Sequence, residues 1–199
     1  MSPDKIRCPW PGSNELMIQY HDEEWGVPVH EDRKLFEFMV LDSFQAGLSW
    51  QIILNKRVGF RSAFAEFDPV KITLFGKRDI EKLINNKTII RNRLKIRATI
   101  LNSQYFLDIQ KEFGSFDSFI WKFTDGKTII NKWETTDDIP VSTPESDTMS
   151  KELKKWGFKF VGTTICYAFM QAAGMVNDHL ISCFDMMILI NSQIKYIWI

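Results

Sequence analysis

The sequence predicts an all-α fold, on three observations. Apolar residues recur at helical rather than alternating spacing through most of the chain. Proline, glycine and capping residues cut it into short segments. One stretch alone, Lys127 to Trp133, has the composition of a strand, and an isolated hairpin would be marginal.

The elements follow in order. Pro9, Pro11 and Gly12 make the opening irregular, and a short helix is expected from about Asn14 to Trp25, stopped by Gly26 and Pro28. A stronger helix starts near Asp32, with Leu35, Phe38, Met39, Leu41 and Ala46 close to a 3.6-residue period. Gly47 ends it, and Ser49 is placed to cap the next, which carries Trp50, Ile53 and Leu54. Asp68-Pro69 pairs a cap with a proline at the first helical position. Helices are expected over Val70–Phe75, Arg78–Ile84 and Arg91–Phe113, then from Ser115 to Asp125-Gly126. Asp137 to Asp147 reads as a polar connection between lobes. Thr143-Pro144 opens a helix to Trp156, closed by Gly157, and Val161 to Ala173 reads as a buried helix ended by Gly174. About nine short helices with almost no sheet make an all-α protein.

A chain of 199 residues, 45% of them hydrophobic, suits one domain or two small lobes sharing a cleft. The expected boundaries are 1–183 for the folded domain and 184–199 for a tail. Basic and acidic residues balance at 25 each, which excludes a strongly basic nucleic-acid coat and confines any DNA contact to a local patch. The 16 Phe suit a core, but seven Trp exceed what a core of this size needs. Three cysteines make no disulfide framework and Met1 to Arg7 has no signal-peptide character, so a reduced, cytoplasmic setting is expected. The stretch from Phe184 to Ile199 is too short to span a bilayer and is broken by Asp185, Asn191, Ser192, Gln193 and Lys195. No membrane contact and no obligate protein partner are expected.

Three groups of residues can carry chemistry. Cys8 and His21 lie near the start, and His179 and Cys183 lie four residues apart near the end. Two Cys and two His form a closed tetrahedral zinc set, but the spacing is not that of a zinc finger. Spacing alone leaves open an unliganded thiol and ordinary surface histidines. Cys166, inside an apolar helix, reads as core. The second group combines Trp10, Tyr20, Trp25 and Trp50 with a carboxylate, Asp42, on an apolar stretch of helix. A flipped base needs flat partners to stack on and a hydrogen-bonding group at its edge, and a cationic methylated adenine is favoured by aromatic faces and a carboxylate. Composition alone equally allows core tryptophans and a helix-pairing acid. The third group is basic: Lys87, Arg91, Arg93, Lys95 and Arg97 at the start of the long helix, and Lys151, Lys154, Lys155 and Lys159. Such a run is either a phosphate site or a solvated face.

Four stretches together identify a resemblance. They are Tyr20-His21-Asp22-Glu23-Glu24-Trp25-Gly26-Val27-Pro28; Gln45-Ala46-Gly47-Leu48-Ser49-Trp50; Gly157-Phe158-Lys159-Phe160-Val161-Gly162-Thr163-Thr164-Ile165-Cys166-Tyr167; and Val176-Asn177-Asp178-His179 leading to Cys183. The chain resembles the 3-methyladenine DNA glycosylase I family, helix-hairpin-helix enzymes with an added zinc site. The resemblance implies a helical glycosylase domain whose N- and C-terminal segments are tethered by one structural zinc on Cys8, His21, His179 and Cys183. It implies a base pocket of Trp10, Tyr20, Trp25 and Trp50, and Asp42 and Tyr20 are the candidate catalytic residues. It also implies that Leu48, on the turn after Gly47, wedges into double-stranded DNA, with Arg91, Arg93 and Lys95 on the backbone. An apolar side chain on a tight glycine turn is what an unstacking wedge requires. Two positions depart from the family: Asp42 stands where glutamate is usual, and Thr88 where the hairpin usually carries glycine, whose freedom at positive φ brings backbone amides close to phosphate.

The activity implied is hydrolytic release of 3-methyladenine without strand cleavage, since no lysine is placed to form a Schiff base. The alternatives are a non-catalytic reader of alkylated bases and a zinc-stabilised interaction module.

Overall fold

The structure, a computed structural model, describes residues 5–186, so most of the expected tail lies outside them. Ten α-helices and three short 3₁₀ turns account for nearly all of its regular structure. Helix α1 is Glu15–Glu23, capped by the Asn14 side chain on the Met17 amide. Helix α2, Asp32–Gln45, is the central element. It is capped not by Asp32 but by Glu31, whose carboxylate accepts from the Arg33 and Lys34 amides. Asp32 instead accepts from the Phe116 and Asp117 amides and from Gln110, joining the start of α2 to a distant helix end. Every residue from Leu35 to Phe44 is buried.

Helix α3, Trp50–Leu54, and α4, Arg57–Ala63, follow. The second was not expected from the sequence, because Gly59 sits in its middle and argues against a helix. That glycine is required by packing: a Cβ there would lie 2.4 Å from the Thr88 carbonyl. Ala65, Glu66 and Phe67 then take three successive positive φ values, 50°, 55° and 55°, reversing the chain into α5, Pro69–Thr73.

Helix α6, Lys77–Asn85, and α7, Arg93–Phe113, form a helical hairpin across residues 86–92. Asn92 caps α7 by accepting from the Leu94 and Lys95 amides. Thr88 lies in this hairpin outside the positive-φ region, so the turn is made without the conformation that demands glycine. Its amide and hydroxyl both donate to Asn86 Oδ1. Helix α8 is Phe116–Ile120, capped by Ser115. Helix α9, Pro144–Trp156, ends at Gly157 in the left-handed region, and α10 is Thr163–Ala172.

The strand expected over Lys127 to Trp133 shrinks to β1, Ile129–Ile130, and it forms no hairpin. It pairs in parallel with β2, Val176–Asn177, matching Ile129 to Val176 and Ile130 to Asn177. The partner comes from the segment after α10, which no short-range signal links to β1. The buried apolar residues form one continuous cluster running from Cys8 to Cys183. No described helix is long and apolar enough to cross a membrane.

Candidate active site and metal cluster

Four buried side chains from the two ends of the described chain converge. Ligand atoms of Cys8, His21, His179 and Cys183 all lie within 4.8 Å of one another. The sulfur–nitrogen separations are 3.8 Å from Cys8 to His179 Nδ1, 3.5 Å from Cys183 to His179 Nδ1 and 3.5 Å from Cys183 to His21 Nε2. A tetrahedral ion with bonds of about 2.3 Å to sulfur and about 2.0–2.1 Å to nitrogen sets such an edge at about 3.6 Å. The remaining ring nitrogens are already committed. His21 Nδ1 meets Asp22 at 2.9 Å and Asp185 at 3.3 Å, and His179 Nε2 meets the Trp25 carbonyl at 3.0 Å. Those contacts fix which nitrogen of each ring faces the cluster, as an outer shell of metal ligands does. Donor set, burial and edge lengths all fit a closed four-coordinate metal site. Cys166 is buried elsewhere, with its thiol on the Val161 carbonyl.

The cluster backs directly onto the aromatic group. The Trp25 ring stands edge-on to His179 with centroids 4.7 Å apart, and Trp10 lies 5.3 Å from His21. Trp10 in turn meets Trp25 at 5.1 Å and Tyr20 at 6.3 Å, and Tyr20 meets Trp50 at 5.1 Å. These four side chains and Asp42 line one pocket of about 320 Å³, within the range of small-ligand sites. Gln45, Thr136, Ile139, Ala168 and Gln171 complete the wall. Gln45 lies in a stretch that carries the resemblance but was given no role, and the other four were not singled out from sequence. The one available signal was Gln171, an amide inside the apolar run of α10. Ile139 comes from the start of the segment that read as a connection between lobes, and Thr136 lies just before it.

Asp42 is 2% exposed, and its Oδ2 has no hydrogen-bond partner among the described residues. Burial pushes its carboxyl well above the usual carboxylate range, and the charge of Arg57 pulls only partly against that. Burial likewise raises the Tyr20 hydroxyl well above its ordinary value, with Asp42 and Glu24 adding to the effect. The indole N–H groups of Trp10 and Trp50 are also buried without partners. The pocket therefore presents an unpaired acid and two unpaired donors amid apolar faces. Arg57 does not pair with Asp42. It is held by Glu24 at 2.6 and 2.7 Å and by Glu37 at 2.8 Å. Burial of Glu37 opposes its ionisation, but hydrogen bonds from Arg57 and Arg61 prevail and lower its pKa to about 2.

The turn after α2 lies beside this pocket. Gly47 has φ +79° and Leu48 is 37% exposed. Lys95 does not face solvent: it is 6% exposed, donating to the carbonyls of Phe44 at 2.8 Å and Ala46 at 2.6 Å. It thereby caps the C-terminal end of α2, a position where a cation is favoured. Arg91 and Arg93 are exposed at the start of α7, and Arg93 pairs with Glu81 at 2.9 Å.

Residues 10–186 match the family described as methyladenine glycosylase. The chain is 48% identical to the DNA-3-methyladenine glycosylase 1 of Escherichia coli over 89% of its length and 95% of the relative's. It is 45% identical to the DNA-3-methyladenine glycosylase of Haemophilus influenzae, covering 89% of this chain and 96% of that one. Its fold superposes on a crystal structure of a 3-methyladenine DNA glycosylase I with a TM-score of 0.88 at 50% identity, covering 90% and 98% of the two chains. The Staphylococcus aureus protein of that name, solved to explain 3-methyladenine recognition, gives 0.88 at 33% identity, covering 90% and 96%. The fold thus agrees with the sequence relationship, and the chain belongs to the methyladenine glycosylase family.

Proposed function

We propose that this protein is a monofunctional glycosylase that flips 3-methyladenine out of alkylated duplex DNA and hydrolyses its bond to the sugar. The observation that carries this reading is the unpaired, buried Asp42 carboxyl inside a pocket walled by Trp10, Tyr20, Trp25 and Trp50. The relatives at 45–48% identity bear the name of that activity.

The chemistry follows from the lesion. Methylation at N3 makes the base a cation that departs neutral, so little general-acid help is needed. The protein's tasks are to extrude the nucleotide, to stack and select the base, and to stabilise positive charge as the bond to the sugar breaks. Aromatic faces attract a cationic ring, and a carboxylate in a low-dielectric pocket attracts it more strongly than one in water. Asp42 and Tyr20 touch the base in this reading. Leu48 fills the gap left in the stack, while Arg91 and Arg93 meet backbone phosphates. Lys95 supports the wedge turn from beneath rather than touching DNA.

Cys8, His21, His179 and Cys183 hold one zinc ion with a structural role, because four protein ligands leave no position for water. Bound there, zinc supplies folding energy and ties the two chain ends behind the pocket.

The test is incubation of the full-length protein with methylated duplex DNA, followed by chromatography of the released bases. Free 3-methyladenine with intact strands is expected. Tight binding without release would make the protein a reader of the lesion, and neither binding nor release would leave a zinc-stabilised interaction module.

A further inference from the structure

Helix α10 contributes two residues one turn apart to the pocket, Ala168 and Gln171, and α2 contributes Asp42 and Gln45. Gln171 is held more tightly than a pocket amide needs to be for packing alone. Its backbone carbonyl accepts from the Gly26 amide at 2.9 Å, and its side-chain Nε2 donates to Asp178 Oδ2 at 2.8 Å.

Asp178 explains the rigidity. It is fully buried, and its two oxygens take four donors. Oδ1 accepts from Asn131 Nδ2 and Trp133 Nε1, both at 2.7 Å, and Oδ2 accepts from the Tyr167 hydroxyl at 2.7 Å and from Gln171. A buried carboxylate persists when its lone pairs are filled in this way. It is also an acceptor only, so the Gln171 amide has one permitted sense: nitrogen towards Asp178, oxygen away from it. That oxygen makes no hydrogen bond among the described residues. Asp178 is thus built so that Gln171 can offer an acceptor, and not a donor, to whatever occupies the pocket.

We propose that Gln171 is a specificity-determining residue whose amide oxygen accepts an N–H from the exocyclic 6-amino group of the flipped purine, and that Asp178 is the positioning residue that fixes its sense. The proposal rests on the glycosylase reading and extends it. A 6-amino group has two hydrogens, and the pocket then supplies two acceptors, the Gln171 oxygen and the Asp42 carboxylate, the latter through a helix shift or a bridging water. A 6-oxo purine would instead bring its own oxygen against the Gln171 oxygen, and a site with fixed polar groups rejects such a mismatch far more strongly than an apolar wall does.

The test is titration of the metal-loaded, full-length protein with two free bases, 3-methyladenine and its 6-oxo counterpart 3-methylhypoxanthine. Wild type is expected to favour 3-methyladenine. In Gln171→Leu the ratio of the two affinities should shrink by about tenfold or more, the loss of one hydrogen bond in a desolvated site. In Asp178→Asn, the new amide keeps its oxygen on Asn131 and Trp133 and turns its nitrogen to Gln171. The Gln171 amide then reverses, and the preference should swing towards the 6-oxo base. A purely structural role predicts something different: both affinities fall together and the ratio stays fixed in both variants. That outcome overturns the proposal and leaves the glycosylase reading intact. Binding of neither base by wild type overturns the reading and the proposal with it.

Discussion

Asp42 is one methylene shorter than the glutamate usual at its position, so its oxygens fall short by roughly 1.3 Å along an extended side chain. A direct hydrogen bond does not survive that stretch without a helix shift or a bridging water. The surrounding wall is complete nonetheless: Trp10, Tyr20, Trp25 and Trp50 are all present and in mutual contact. Arrival of a cationic base also reverses the effect of burial on this carboxyl, because the ligand itself supplies the missing partner charge. Asp42→Asn is therefore expected to slow 3-methyladenine release by about 10- to 1000-fold, the loss of one charged partner at roughly 1.5–4 kcal/mol. Asp42→Glu should change the rate in either direction. Unchanged single-turnover rates in both variants would show that stacking and shape select the lesion alone. At this scale the sequence was informative where a residue type is rare in its surroundings, as with an acid late in an apolar stretch or tryptophans in excess of a core's needs. It was mute on Thr136 and Ile139, which are ordinary residues brought to the pocket by a remote segment.

At the scale of the element, α2, the Gly47 turn and α3 work as one piece. Helix α2 is buried along its length and so is rigid. Its end is held by Lys95 from the long helix α7, and Leu48 projects just beyond. A wedge must resist being pushed back when it enters a base stack, and anchoring by a second helix provides that resistance. Leu48→Ala is expected to reduce excision from duplex DNA by on the order of 10- to 100-fold while changing release from single strands little, because only the duplex requires unstacking. Equal losses on both substrates would remove Leu48 from that role. Lys95→Met should copy the duplex-specific loss and also lower the melting temperature, since it strips the buried Phe44 and Ala46 carbonyls of their donor. Most helices were legible because caps, prolines and periodicity agree locally. Lys95 shows the limit of that reading. A run of basic residues states charge but not facing, and one turn into α7 the fold directs a lysine inward.

At the scale of the whole molecule, the Cys8–His21–His179–Cys183 cluster and the aromatic pocket are successive layers of one structure. The imidazoles of His21 and His179 are the floor on which Trp10 and Trp25 rest. Elemental analysis is expected to find about one zinc per chain, as a single four-ligand site implies. His179→Ala should lose the metal and lower thermal stability, because binding energy at such a site is folding energy. It should also weaken base binding, by loosening the pocket floor. Full metal content in that variant would refute the ligand assignment. The two-residue strands β1 and β2 mark what could not be read at this scale. Their pairing joins segments far apart in the chain, and two residues leave no periodicity to detect.

The joining of residues 8 and 21 to residues 179 and 183 also has a consequence in time. A ribosome adds about 5–20 residues each second, so Cys8 and His21 wait on the order of ten seconds for the other half of their site. Throughout that interval Trp25 lacks the His179 imidazole that it meets edge-on. A chain interrupted between the end of α7 and Cys183 therefore has Leu48 and the long helix but lacks part of the ligand cluster behind the aromatic pocket. The last of the four clustered side chains to be synthesised is thus the one that completes the group behind the pocket.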